Sequence, residues 1–141
     1  MSYAGDITPL EAWKLLSDNP DAVLVDVRTD AEWRFVGVPD LSSLGREVVF
    51  IEWNTSDGRH NESFADELRE RVAPGPDADA DRPVIFLCRS GQRSIGAAKA
   101  ATQVGITPAY NVLDGFEGQL DANGHRGQTG WRATGLPWKQ Q

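Results

Sequence analysis

The chain has 141 residues, 40% of them hydrophobic, which suits one domain with one core and leaves no room for a second catalytic domain. A formal charge of -7 argues against nucleic-acid and anionic-membrane partners, because most of the surface repels phosphate. A single cysteine excludes an intramolecular disulfide, and two distant histidines, His60 and His125, give no metal-ligand spacing, so no metal or cofactor is expected.

Residues 1–6 hold neither a basic patch nor an apolar stretch, and no apolar run reaches bilayer length, so the expected location is the cytoplasm. Residues 6–9 read as a short strand ending in a helix cap: Thr8 suits the capping position and Pro9 the first helical one. Leu10, Trp13, Leu15 and Leu16 give the helix an apolar face, and Asn19 and Pro20 stop it. Residues 23–27, apolar but for Asp26, read as a strand buried on both faces. A short helix over 29–35, capped by Thr29, leads into a loop over 36–47.

A third strand is predicted over 48–53, a polar turn over 54–58, and an amphipathic helix over 61–72 with Phe64, Leu68 and Val72 four residues apart. Residues 73–82, rich in Pro, Ala and Asp, read as a solvated connection. A strand over 83–87, a helix over 94–104 and a last strand over 109–113 follow. Strands alternating with helices imply an α/β fold: a central parallel sheet of about five strands, covered by helices on both faces. In such sheets ligands bind at the carboxyl ends of the strands.

Cys88 lies at one of those ends. It follows Val84, Ile85, Phe86 and Leu87 and opens the segment Cys88, Arg89, Ser90, Gly91, Gln92, Arg93, Ser94 before the next helix. Backbone N–H groups in such a turn, joined by those of the helix start, form a concave anion site. Such surroundings lower a cysteine's titration point from about 8.5 into roughly the 3.5–7.5 range, so the sequence predicts a thiolate that attacks without a histidine base. A lone cysteine is ordinarily a small buried hydrophobe. Against that reading, residues 82–113 hold Arg82, Arg89, Arg93 and Lys99 and no acid, while all twenty-one acidic residues lie elsewhere.

The segment from Cys88 to Ser94 resembles the active loop of the rhodanese family, sulfurtransferases that carry a sulfane sulfur as a cysteine persulfide. Two further blocks resemble it in the same order. Val23 to Arg28, with Glu32 and Gly37 following, is similar to the family's early strand and Asp-x-Arg signature; Asn111 to Phe116, with Gly130, Trp131, Gly135, Leu136 and Pro137, is similar to its last strand and closing helix. The resemblance implies one rhodanese-like domain over 1–141. Cys88 would take sulfur from a small anionic donor, thiosulfate or a persulfide, and pass it to a thiol, cyanide or a protein thiol. Arg89, Ser90, Gly91, Gln92, Arg93 and Ser94 form the implied anion cradle, with Arg89 at the mouth and Arg93 bracing the loop. Asp26 and Arg28 are expected as structural support, and Trp53, His125 and Arg126 as candidate pocket rim.

Two segments depart from the family pattern: residues 37–41, where the usual run is replaced by Gly37, Val38, Pro39, Asp40 and Leu41, and a polar, glycine-rich insertion at about 119–129. Three alternatives stand beside sulfur transfer: a non-catalytic module that binds sulfur species, a cysteine phosphatase, and an arsenate reductase. A phosphatase needs an arginine six positions after the cysteine, where this chain has Ser94.

Overall fold

The computed structural model describes residues 3–72 and 82–140; the connection expected over 73–82 therefore lies almost wholly outside the described residues. Five strands form one parallel sheet in the order β1-β6-β5-β2-β4: β1 (Gly5–Ile7), β2 (Val23–Asp26), β4 (Val49–Phe50), β5 (Val84–Leu87) and β6 (Ala109–Val112). β5, the strand that ends at Cys88, is the central one. Its neighbour β2 runs level with it, Asp26 opposite Leu87, so both strands release the chain at the same edge.

Period-2 alternation along these strands builds two cores, one on each face. Val23, Val25, Val84 and Phe86 face α3 (Phe64–Val72) and α4 (Arg93–Gln103). Leu24, Ile85, Leu87 and Val112 face α1 (Pro9–Asp18) and Trp131. The sheet is thus apolar on both sides, as the apolar residues of 23–27 and 83–87 predict.

Capping fixes where the helices begin. Thr8 accepts the N–H of Glu11 while Glu11 accepts that of Thr8, and Thr29 and Glu32 repeat this reciprocal box ahead of α2 (Asp30–Phe35). Such a cap typically contributes about 1 kcal/mol. α3 starts at Phe64 rather than 61, because Asn61 folds back to accept the Ser63 N–H and accepts from Phe64 through its own carbonyl.

Three expectations are corrected. The third strand is cut to Val49–Phe50: Ile51 and Trp53 still donate to Asp26 and Val27, but the chain then turns away into an Asn54–His60 bridge. The loop over 36–47 contains β3 (Val38–Pro39) and a 3-10 turn at Ser42–Leu44. The closing segment is not a helix. After one turn in which Thr134 donates to the Gly130 carbonyl, Gly135 takes φ +86°, a left-handed value that ends the turn, and β7 (Trp138–Lys139) pairs antiparallel with β3.

Candidate active site

Every carbonyl of the loop after β5 is held from outside. Cys88 O accepts from Phe116 N at 2.8 Å, Arg89 O from Glu117 N at 2.9 Å, Ser90 O from Gln119 Nε2, Gly91 O from Asn111 Nδ2, and Gln92 O from Ile95 N. A trans peptide points its N–H opposite to its C=O. Each loop N–H therefore points away from the group that holds the carbonyl of its own peptide. Among the described residues, the N–H groups of Arg89, Ser90, Gln92, Arg93 and Ser94 have no protein acceptor, and that of Gly91 donates to Cys88 Sγ at 3.2 Å.

The turn behind the loop requires a glycine. A Cβ on Gly115 would stand 2.3 Å from Cys88 O and 2.6 Å from Arg89 C, and its φ is +56°. Any larger residue pushes the turn away and releases the two carbonyls held by Phe116 and Glu117.

Cys88 itself is 1% exposed, so its sulfur is almost wholly shielded from solvent. Its second partner is Ser94 Oγ at 3.1 Å. The same hydroxyl is hydrogen-bonded to Asn111 Oδ1, and Asn111 Nδ2 donates to Asp6 Oδ1 at 3.0 Å as well as to Gly91 O. Because a carboxylate and a carbonyl only accept, the amide's NH2 is fixed towards them and its oxygen towards Ser94. One hydroxyl proton serves one acceptor at a time. An ionised sulfur takes that proton's hydrogen bond; a protonated sulfur donates to Ser94 Oγ and frees the hydroxyl for Asn111.

Arg93 does not face the sulfur directly. It forms a two-pronged pair with Glu32 of α2, at 2.8 and 3.0 Å. Burial alone would raise the Glu32 carboxyl, but the hydrogen bond and charge of Arg93, with the Thr29 N–H and Arg28, hold it below its ordinary range. Burial likewise works against the Arg93 charge, and Glu32 outweighs it. The Cys88 loop is thereby tied to α2.

Asp26 and Arg28 are fully buried and pair with each other, Nη2 to Oδ2 at 2.7 Å and Nε to Oδ1 at 3.0 Å. Arg28 also donates to Gly37 O at 2.8 Å, and its guanidinium lies 4.2 Å from the centre of the Phe116 ring. The pair thus joins β2, the segment around Gly37 and the turn that backs the active loop. Its Nη1 is buried without a partner among the described residues.

The remaining candidates are scattered. Arg89 is exposed, without an ion pair among the described residues, and Gln92 is exposed beside it. Trp53 packs on Gly96 of α4, between Phe64 and His60. His125 is exposed, and Arg126 donates to Gly118 O. The insertion instead touches the loop through Gln119. A separate groove of about 490 Å³ opens beside β4; of its three cations, Arg46 and Arg71 are engaged by the carbonyls of Leu16, Asn19, Ala22 and Phe50, and Lys139 lies at its β7 side. Sequence reasoning passed over Asn111, Gln119 and the pairing of Glu32 as parts of this site. Only Asn111 carried a signal, an amide inside a buried strand that must find partners.

A parallel five-stranded sheet whose central strand delivers a cysteine into such a loop is the architecture of rhodanese-like domains. A family model described as the STR4 middle domain, itself rhodanese-like, matches residues 5–141, and the chain belongs to that family. The crystal structure of Rv0390 from M. tuberculosis superposes with a TM-score of 0.90 at 74% identity, over 99% of this chain and 100% of that one. An uncharacterized protein of Rickettsia conorii is 37% identical over 134 residues, 95% of this chain and 96% of its own length. The thiosulfate sulfurtransferase GlpE of Actinobacillus pleuropneumoniae is 28% identical over 132 residues, 94% of this chain and 90% of its own. Sulfurtransferases are thus among its more distant relatives. Among the described residues, no helix is long and apolar enough to cross a membrane.

Proposed function

We propose that the protein is a sulfurtransferase that carries a sulfane sulfur on Cys88. The observation that carries this reading is the hydrogen bonding of the loop: its carbonyls are all engaged by groups beyond it, five of its amides have no acceptor among the described residues, and a sixth donates to the sulfur. The Cys88 thiolate attacks the outer sulfur of thiosulfate, the donor's S–S bond breaks, and sulfite leaves with the electron pair. A cysteine persulfide anion remains. Cyanide or a thiolate then attacks the outer sulfur, and the Cys88 thiolate departs. No proton has to be moved in either step, so the site needs inward amides to hold negative charge more than it needs a proton shuttle.

Arg89, exposed at the loop, offsets the donor's charge; Arg93 and Glu32 hold the loop against α2; Ser94 serves the sulfur in either protonation state. The cytoplasm, where thiols stay reduced, is the compartment that suits a lone reactive cysteine. Thiosulfate is the donor named for the GlpE relative, and a persulfide supplies the same divalent sulfur.

The test is intact mass spectrometry after incubation with thiosulfate. The expected result is a gain of one sulfur atom that cyanide removes, absent in Cys88→Ser. No gain on folded protein, or a gain that survives in Cys88→Ser, overturns the reading. A gain that cyanide never discharges assigns the fold to a sulfur-binding module without turnover.

A further inference from the structure

We infer that Gln119, at the root of the glycine-rich insertion, is a positioning residue that holds the Ser90–Gly91 peptide in the orientation that serves the sulfur. This rests on the reading of Cys88 as the reactive group.

One peptide unit has both ends in use. Its N–H, on Gly91, donates to Cys88 Sγ at 3.2 Å; its C=O, on Ser90, accepts from Gln119 Nε2 at 2.5 Å. Because the unit is planar and trans, the two bonds point in opposite directions, and fixing one fixes the other. A carbonyl only accepts, so the face of the Gln119 amide turned to it is the NH2. Without that donor, nothing else among the described residues holds the Ser90 carbonyl outward. Gly91 has φ +95°, a conformation with little steric resistance to rotation of the peptide before it. Rotation would turn an oxygen towards the sulfur in place of a hydrogen.

Gln119 can do this because its own backbone is anchored. Its N–H meets Thr129 Oγ1 at 3.4 Å, and the neighbouring Gly118 is packed so closely that a Cβ there would lie 2.3 Å from Thr129 O. Gly118 N also donates to Asp114 O, in the turn that backs the active loop. The two ends of the insertion are thus clamped together behind the loop, and the side chain of Gln119 reaches forward from that clamp. Its exposed side makes it replaceable without opening either core.

The charged groups around the loop come from every adjoining element: Arg89 in the loop, Arg93 of α4 with Glu32 of α2, the Asp26–Arg28 pair at the end of β2, Asp6 of β1 through Asn111, and Asp114 with the Glu117–Arg132 pair at the turn behind the loop. A Gln119→Met substitution changes none of them. It removes the donor at similar length and adds no charge, so its effect on the sulfur reports the peptide alone.

The experiment follows iodoacetamide alkylation of Cys88 across pH in the full chain, for wild type, Gln119→Met and Asn123→Ala, with thermal unfolding of each. The expected result for Gln119→Met is an alkylation profile displaced to higher pH, with a rate at neutral pH lower by about three- to tenfold, the size of one net hydrogen bond, and an unchanged unfolding midpoint. Asn123→Ala, elsewhere in the insertion, is expected to match wild type. A Gln119→Met profile that superimposes on wild type overturns the inference, as does an equal displacement in Asn123→Ala, which would assign the effect to general loosening. Alkylation does not depend on sulfur transfer. A wild type that never gains sulfur from thiosulfate therefore strikes the proposed function, whereas an unmoved alkylation profile strikes only the role of Gln119.

Discussion

At the carboxyl end of β2, Asp26 and Arg28 bind each other in a fully buried pair; at the carboxyl end of β5, level with it across the sheet, one loop amide donates to a thiol and five others have no acceptor among the described residues. Both ends are buried and both lie at the ligand-binding edge of a parallel sheet. They differ in whether charge is already balanced. The β2 end carries its own counterion, with Arg28 Nη1 its one unpartnered buried donor among the described residues, and it ties Gly37 and Phe116 to the sheet. The β5 end leaves its donors open. Location at the sheet's edge therefore does not by itself distinguish the two ends; the number of unpartnered backbone amides does.

The sharpest way to break this comparison is Cys88→Ser, expected to lower thiosulfate:cyanide sulfurtransferase activity to the uncatalysed rate while leaving the unfolding transition near that of wild type. Retained turnover would mean that the β5 end is as inert as the β2 end. Conversely, Asp26→Ala should act on stability first, costing about 3–5 kcal/mol because it strands a buried guanidinium. Urea unfolding measures this, and the double change Asp26→Leu with Arg28→Met should cost clearly less. If the single variant is as stable as the double, the pair is not the anchor described here. Gly115→Ala couples the two ends, since its turn carries Phe116 to both: about 1–3 kcal/mol of strain is expected, together with a fall in activity larger than the loss of folded protein explains.

The smallest effect concerns Glu32 and Arg93. The folded state holds Glu32 below its ordinary range, so the pair's contribution is complete above the usual carboxylate range and is lost as pH falls through the folded value. Arg93, raised by the same contact, loses its contribution only in strong alkali. Acid titration of stability should therefore show wild type losing on the order of 1 kcal/mol that Glu32→Gln never had. Parallel curves for the two proteins would remove the pair from the loop's support.

What was legible in the sequence was local. Thr8 with Pro9 and Glu11, and Thr29 with Glu32, announce their helices through neighbours three residues away, and the apolar runs at 23–27 and 83–87 announce a doubly covered sheet. The cysteine loop was legible because its residue types follow one another in sequence. The closing segment misled because a helix there was implied only by the resemblance of Gly130, Trp131, Gly135, Leu136 and Pro137 to the family's closing block, whereas its end is drawn off to pair with Val38–Pro39, a partner about a hundred residues earlier. Two-residue strands have no period to detect. Asn111 and Gln119 were missed as supports because each acts on a loop some twenty to thirty residues away, a distance no spacing rule spans.

The burial of Cys88 has a consequence for what the protein exposes to its surroundings. A sulfur carried there would extend the side chain by one S–S bond, about 2 Å, towards the mouth of the loop. The cargo atom, and not the protein's own, would then be the one that meets acceptors and oxidants. Damage would fall on something the next turnover replaces, and the permanent sulfur would stay beneath it.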